Sequence, residues 1–205
     1  MMGEALVENG LAGGNVLMLG GSAVDSNVAM VEKGFRKVME DNQVTILDSM
    51  HADGWKAELA GAYIYEHMDV VSEADAIMCG NDDLASQAVK VLAENRLAGQ
   101  VALVAQDADL AACQRIVEGT QTMTVYKPIE QEASTAAILA VALGNGTDIT
   151  SKDCEIPVTE TTDDGSGEIP YYKITPITVT AENMDEVIVD GGFHSKEDVY
   201  LNVKE

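Results

Sequence analysis

The chain has 205 residues, 46% of them hydrophobic, and sets 12 Lys and Arg against 35 Asp and Glu for a formal charge of -23. A chain this acidic repels phosphate backbones and anionic lipid, which excludes general nucleic-acid binding and attachment to a charged membrane surface. The apolar share excludes an acidic disordered tail and suffices for one large domain or two small ones.

Aromatic residues make up only 4% of the chain, so an aromatic side chain placed in a loop carries information. The cysteines, Cys79, Cys113 and Cys154, are odd in number and widely spaced, which gives neither a disulfide framework nor a CxxC metal signature. Cys79 ends an apolar run and Cys113 falls inside a helical pattern, so both read as small core residues. The opening Met1-Met2-Gly3-Glu4 lacks the basic start and apolar centre of an export signal, and no signal peptide is expected in this chain. The longest apolar stretch, residues 133–143, is about half the length a membrane-spanning helix needs.

Residues 15–19 form an apolar run that ends in Gly20-Gly21-Ser22 and predicts a strand. Residues 27–39 follow as a helix with Val28, Val31, Phe35 and Val38 on one face. Residues 44–47 predict the second strand, and a helix is expected from about Trp55 to Val70. Residues 76–79 predict the third strand, after which Asp82 or Asp83 is expected to cap a helix over residues 84–95. The fourth strand is residues 101–105. Asp109 is expected to cap the next helix, which Gly119 stops after Glu118. Residues 123–126 predict a fifth strand, and Pro128 opens a helix that reaches Leu143. Residues 147–168 are rich in acids, Thr and Gly and read as an irregular solvated excursion. Their carboxylates invite calcium, but the spacing is not that of an EF-hand loop. A strand over residues 171–174, a turn at Thr175-Pro176 and a short helix over residues 181–189 complete the chain.

Strands alternating with helices at this spacing predict parallel βαβ units and an α/β fold with a doubly wound parallel sheet. The strands read as continuous apolar runs, which suits a sheet covered on both faces. Ligands of such sheets bind outside the carboxyl ends of the strands, so the residues after each strand matter most. They are Asp25 and Asn27; His51, Asp53 and Trp55; Asn81, Asp82 and Asp83; Asp107 and Asp109; and Lys127. The set is mostly carboxylates and amides, with the single tryptophan and one lysine. Taken singly, each acid is a helix cap or a solvated loop residue, Trp55 a core residue and His51 a solvated one. Taken together they suit a sugar, whose vicinal hydroxyls pair with Asp and Asn and whose C–H face is covered by an indole.

Enzyme readings find less support. There is no GxGxxG fingerprint, no GxxxxGK[ST] loop and no GxSxG elbow. The histidines, His51, His67 and His194, stand in no HExxH or triad-like context. No catalytic residue, metal or cofactor is expected.

The strand-end residues also carry a family resemblance. The stretches Leu19-Gly20-Gly21-Ser22-Ala23-Val24-Asp25-Ser26-Asn27, Asp53-Gly54-Trp55, Asn81-Asp82, Gln106-Asp107-Ala108-Asp109-Leu110 and residues 119–129 resemble the xylose-binding proteins of bacterial ABC sugar transporters. Thr175-Pro176-Ile177 and Asp190-Gly191-Gly192-Phe193-His194 extend the resemblance to the tail. It implies a type I periplasmic binding protein, in which two Rossmann-like lobes close on a pentose. By the same resemblance Asp25 and Asn27 would bind hydroxyls, Trp55 would stack on the ring, Asn81 and Asp107 would bind hydroxyls from the second lobe, and Lys127 would reach in from the crossover. The implied place of action is extracytoplasmic, with an ABC permease or a membrane sensor as partner of the full-length protein.

Within that resemblance residues 1–121 correspond to the second sugar-binding lobe. Residues 122–146 correspond to a crossover segment resembling part of the first lobe, and residues 147–205 to an acidic loop and a tail returning to the second lobe. Most of a first lobe is missing from the match. The strand at residues 123–126 is therefore expected to lack sheet neighbours, and the helix face with Ile138, Val141 and Leu143 to be exposed, which predicts self-association into a homo-oligomer. The alternatives are a sugar-sensing ligand domain of a regulatory system, an enzyme on the same sheet, and a truncated fragment that no longer binds.

Overall fold

The computed structural model describes residues 1–203 and resolves them into two compact units. One comprises Met1–Tyr126 together with the tail from Thr178, and the other Lys127–Ile177. In chain order the first unit contains α1 (Met2–Glu8), β1 (Asn15–Gly20), α2 (Ser26–Asp41), β2 (Thr45–His51), α3 (Ala57–Glu66), α4 (Met68–Val71), β3 (Ala76–Cys79), α5 (Asp82–Glu94), β4 (Ala102–Val104), α6 (Leu110–Val117) and β5 (Thr124–Tyr126). The second unit holds α7 (Ile129–Gly144), β6 (Glu160–Asp163) and β7 (Glu168–Tyr171). The chain then contributes β8 (Ile177–Val179) and α8 (Lys196–Val199).

The sheet of the first unit is parallel, in the order β2-β1-β3-β4. Strands β1, β3 and β4 are buried on both faces, as continuous apolar runs require, whereas the edge strand β2 is exposed or half-buried along its length. On one face Val16, Met18, Ala76, Met78 and Val104 pack on Leu6 of α1 and on Phe35 and Met39 of α2. On the other Leu17, Leu19, Ile77, Cys79 and Leu103 pack on Ala60 and Ile64 of α3 and on Ala88 and Leu92 of α5. Side chains that alternate along a strand feed the two cores in turn. Each fully buried aliphatic side chain contributes about 2 kcal/mol of transfer free energy. A third cluster joins Cys113 and Ile116 of α6 to Val179, Ile188 and Val199 of the tail. This is the α/β doubly wound parallel sheet that the sequence predicts.

The helix after β1 thus crosses to one face and the helix after β3 to the other, while β1 and β3 are neighbours. Winding reverses between them, and such a reversal opens a crevice at the carboxyl ends of the two strands.

Four elements differ from expectation. The strand at residues 123–126 keeps a sheet neighbour: Met123 bridges Val104 in parallel, Val125 N–H donates to the Ala105 carbonyl at 3.1 Å, and Asp107 N–H to the Val125 carbonyl at 2.9 Å. On its other side β5 pairs with β8. The helix expected over residues 55–70 is broken twice, by left-handed Gly54 and Trp55 and by His67, whose backbone (φ -121°, ψ 39°) separates α3 from α4. The tail helix is a π-helical turn over Asp185–Val189.

In the second unit the strand expected at residues 171–174 lies earlier, as β7, and pairs antiparallel with β6 inside the acidic stretch. The acids of that stretch make local turns. Asp163 accepts from Gly165 N–H at 2.9 Å, Asp164 from Ser166 N–H at 2.9 Å, and Asp148 from Thr150 N–H at 2.9 Å. Helix α7 buries only Thr135 and exposes Ile129, Val141 and Leu143; Ile138 is half-buried.

Gly34 gives the simplest test of the helix assignment. It lies inside α2, and a Cβ there meets nothing within 4 Å. Gly34→Ala is therefore expected to raise stability by about 0.5–1 kcal/mol, through reduced backbone entropy of the unfolded chain. A thermal melt reads this as a midpoint a few degrees higher, and an unchanged or lower midpoint would contradict it.

Candidate functional site

The crevice between β1 and β3 is lined by glycine where a side chain would block it. A Cβ on Gly80 would stand 2.8 Å from the Gly21 nitrogen and 3.3 Å from Cζ3 of Trp55. A Cβ on Gly21 would overlap the benzo ring of Trp55 outright. The indole therefore lies against the bare backbone at the ends of β1 and β3. It is half-buried and packs at the edge of the α3/α5 core, so it serves both the core and the crevice.

The turn after β2 puts it there. Gly54 and Trp55 both take positive φ, 62° and 59°. Trp55 N–H donates to the Ala52 carbonyl at 2.9 Å, and Gly54 N–H to Ser22 Oγ at 3.2 Å. The indole Nε1–H donates to Asp25 Oδ2 at 3.3 Å. A bulky residue held left-handed costs on the order of 1–3 kcal/mol, and such strain concentrates at functional sites. Asp107 and Ala108, in the loop after β4, are also left-handed, with φ of 112° and 57°. The remaining non-glycine residues of this kind, Gln43 and Arg96, follow helix ends, where the conformation is ordinary.

Asp25 is placed by the start of α2. Its Oδ1 accepts the Asn27 N–H at 2.9 Å as the helix cap, while Oδ2 takes the indole. An ionised carboxylate has lone pairs beyond these two bonds, so capping and ligand binding are compatible. Asn27 is exposed in the first turn of α2.

Asn81 follows Gly80 directly and caps α5, its Oδ1 accepting the Leu84 N–H at 3.0 Å. This corrects the expectation that Asp82 or Asp83 caps that helix. Asp83 is exposed, whereas Asp82 is 1% exposed and serves elsewhere. Its Oδ1 accepts Gln121 Nε2 at 2.9 Å, and its Oδ2 accepts Thr124 Oγ1 at 2.8 Å and the Asp109 N–H at 3.1 Å. Burial pushes its carboxyl up to about 6, against the lowering effect of those hydrogen bonds and of the Arg115 charge.

The β4 loop is tied to the same floor. Gln106 donates from Nε2 to the Gly80 carbonyl at 2.7 Å and accepts the Asp82 N–H at 2.9 Å. Asp107, half-buried, comes next. Asp109 stands at the start of α6, but its side chain makes no capping bond, contrary to expectation. Desolvation, and then the charges of Asp83 and Asp107, raise its carboxyl. From the tail, His194 Nε2 meets the Ala108 carbonyl at 2.9 Å, and Phe193 packs on Tyr126 at 4.8 Å between ring centroids.

Of the strand-end residues, Asp25 and Trp55 are in direct contact. Asn81 adjoins the glycine under the indole, and Asp107 sits on the loop that Gln106 ties to that glycine. His51 is turned to Glu32, with Nε2 and Oε1 2.9 Å apart, and Asp53 is exposed. Lys127 follows β5 directly, is half-buried and opens the second unit. Sequence reasoning missed the parts played by Gly21, Gly80, Asp82 and Gln106. Glycines closing two neighbouring strands were the available signal for the first two. Among the described residues no helix is long and apolar enough to cross a membrane.

Residues 1–148 match the family described as the periplasmic binding protein domain. The D-xylose-binding periplasmic protein of Haemophilus influenzae is 38% identical over 193 residues, covering 91% of this chain and 56% of that protein. Its namesake from Escherichia coli is 36% identical over 192 residues, with the same 91% and 56% coverage. The chain spans about half the length of these curated relatives. Among solved structures, a carbohydrate transporter solute-binding protein from Chloroflexus aurantiacus in complex with D-glucose has a TM-score of 0.78 at 23% identity, over 96% of this chain and 65% of that one. At that identity the likeness is one of fold.

Proposed function

Because this chain belongs to the periplasmic binding protein family, we propose that it binds a monosaccharide, D-xylose or a similar pentose, at the carboxyl ends of β1, β3 and β4. The observation that carries the reading is the strained Trp55, seated on the glycines of the β1/β3 crevice with its indole N–H on the Asp25 carboxylate. An aromatic ring beside a carboxylate with lone pairs to spare suits a sugar, which offers an apolar C–H face and vicinal hydroxyls together.

In this reading Asp25 and Asn27 bind hydroxyls, Trp55 covers the ring, and Asn81 donates from Nδ2 while its Oδ1 stays on the helix. Asp107 binds a further hydroxyl, and Lys127 supplies a charge from the connection after β5. Binding involves no covalent chemistry. The sugar selects a closed arrangement with a facing lobe by favouring it over the open one. The work is that of a solute-binding component serving an ABC permease outside the cytoplasm. Relatives named as D-xylose-binding periplasmic proteins support this over a regulatory sensor domain or an enzyme.

The single tryptophan provides the test. Titration with xylose is expected to change Trp55 emission saturably at sugar concentrations of about 1 mM, equivalent to roughly 4 kcal/mol, with glucose, ribose and arabinose responding more weakly. A folded sample with no response to any of the four at much higher concentration would overturn the reading for this chain.

A further inference from the structure

We propose that Asp82 is a positioning residue for this site: its buried carboxylate holds the Asp107–Asp109 loop in the left-handed form that presents Asp107 to the ligand. The inference rests on the monosaccharide reading for the word ligand, but the hold on the loop stands on its own geometry.

Two successive amides of the loop end on one carboxylate oxygen. The Asp109 N–H donates to Asp82 Oδ2 at 3.1 Å. The Ala108 N–H donates to Thr124 Oγ1 at 3.1 Å, and that hydroxyl donates in turn to Asp82 Oδ2 at 2.8 Å. Thr124 has one proton, so it accepts from Ala108 while donating to Asp82 only if Asp82 is an acceptor. The other oxygen, Oδ1, is fixed by Gln121 Nε2. Gln121 cannot turn its amide round, because its Oε1 accepts Arg115 Nε at 2.9 Å. Every contact to the Asp82 carboxylate therefore asks for an acceptor, at both oxygens, which suits the ionised group because it has no proton to place. The bonds oppose a real cost, since Asp107 and Ala108 both have positive φ and neither is glycine. Capping does not explain the residue, because Asn81 caps α5.

Protonation or amidation at Asp82 puts a donor where donors converge. On Oδ2 that donor opposes the Asp109 N–H and the Thr124 hydroxyl, and on Oδ1 it opposes Gln121 Nε2 and turns the group out of its seat. Either way the loop should lose its hold from beneath, keeping the Asp107 N–H on the Val125 carbonyl and the Ala108 carbonyl on His194 and Cys113. Burial places the Asp82 carboxyl at about 6 rather than the usual 3.8, so protonation falls in an accessible range. The charged and titratable groups facing it are Arg115 and Cys113 from α6 and Cys79 from β3. Both thiols are pushed up by burial, Cys113 to about 12, and stay neutral through that range. Asp109 is the competing titrating group, raised by desolvation and by Asp83 and Asp107 and lowered by Arg115 and His194. Asp109→Asn removes its titration and keeps its amide.

The signs separate positioning from stability. A folded pKa above the unfolded one means that this group's stabilising contribution is greatest below about pH 4 and is lost as pH rises through about 6. Loop order and sugar affinity should run the other way, falling as pH drops through that window. A carboxylate that only stabilised the fold would leave affinity flat.

The test is hydrogen exchange at the Ala108 and Asp109 amides, read as protection factors, beside a xylose titration. The comparison is made at about pH 7.5 and pH 5, in the unsubstituted chain, Asp82→Asn and Asp109→Asn. Protection of the two loop amides is expected to fall at least about tenfold in Asp82→Asn, and in the unsubstituted chain on acidification, while the β1 amides hold. The xylose dissociation constant is expected to rise about tenfold in the same two cases. Asp109→Asn should keep the pH profile. Loop protection and xylose affinity that ignore both Asp82→Asn and pH would overturn the proposal. A loop that responds in a chain deaf to xylose at every pH would overturn the sugar reading and uphold the hold on the loop. The pH profile of the unsubstituted chain decides the matter should Asp82→Asn fail to fold.

Discussion

Gly21→Ala is expected to unseat Trp55, cost about 2 kcal/mol of stability and abolish any sugar-linked change in tryptophan emission. The added methyl has no room, since a Cβ at this position overlaps three atoms of the benzo ring. Inserting even one carbon into a packed site costs about 1–3 kcal/mol when neighbours must shift. The indole has little freedom to give way. Its backbone is pinned in a left-handed turn by Gly54 N–H on Ser22 and Trp55 N–H on Ala52, and its Nε1 is bonded to Asp25. Gly21 itself has no positive φ, so alanine is acceptable to the backbone and the whole effect is steric. The emission of the displaced indole should shift to the red as water reaches it, and the melting midpoint should drop. Gly34→Ala is the matched control, being the same substitution in open space with the opposite sign. A native midpoint and native emission in Gly21→Ala would mean that the glycines do not seat the ring.

The core strands were legible because their physics is local. Residues 16–19 and 76–79 are unbroken apolar runs, each closed by glycine, and at that length with such a flank the pattern marks a strand covered on both faces. Helix α2 was legible from the spacing of Val28, Val31, Phe35 and Val38. What escaped was decided by contacts distant in sequence or by exposed backbone. Asn81, Asp82 and Asp83 are three competent caps in a row, and only the approach of Gln121 and Thr124, some forty residues on, decides which one is buried. The β6–β7 hairpin is exposed along its whole length, so it has no apolar alternation to read. Its Asp and Gly turn residues read as an irregular solvated excursion. The neighbour of β5 was missed because the expectation came from a family likeness rather than from the residues. Val104, Ala105 and Met123 are apolar enough to pair, and they do. The strand-end set was legible as a group, since topology alone sends those residues to one edge of the sheet. The left-handed turn that lays Trp55 on the crevice was not, because nothing in Asp53-Gly54-Trp55 says that the residue after the glycine shares its conformation.

Asp25 allows the two roles of a strand-end acid to be pulled apart, and its substitutions should have the largest effect on binding. Asp25→Ala removes the cap of α2 and leaves the Trp55 indole N–H without its carboxylate. Loss of a cap of this kind costs about 1 kcal/mol. If the carboxylate also bonds sugar hydroxyls, losing charged hydrogen bonds there costs a further 1.5–3 kcal/mol of binding, or about 10- to 150-fold in affinity. Asp25→Asn behaves differently. Asn caps as well as Asp, so the bond to the Asn27 N–H survives on Oδ1, and stability should fall by only about 0.5 kcal/mol, through the lost interaction of negative charge with the helix N-terminus. The amide nitrogen accepts nothing, however, so both the indole and a sugar hydroxyl lose their acceptor. The expected result is a split: Asp25→Asn melts within a few degrees of the unsubstituted chain yet binds xylose at least about tenfold more weakly, whereas Asp25→Ala loses on both counts. Melting curves and the Trp55 titration measure the two quantities on the same samples. Should Asp25→Asn bind xylose as the unsubstituted chain does, the carboxylate is a helix cap and an indole partner, and the ligand contacts on this edge of the sheet have to come from Asn81 and Asp107 instead.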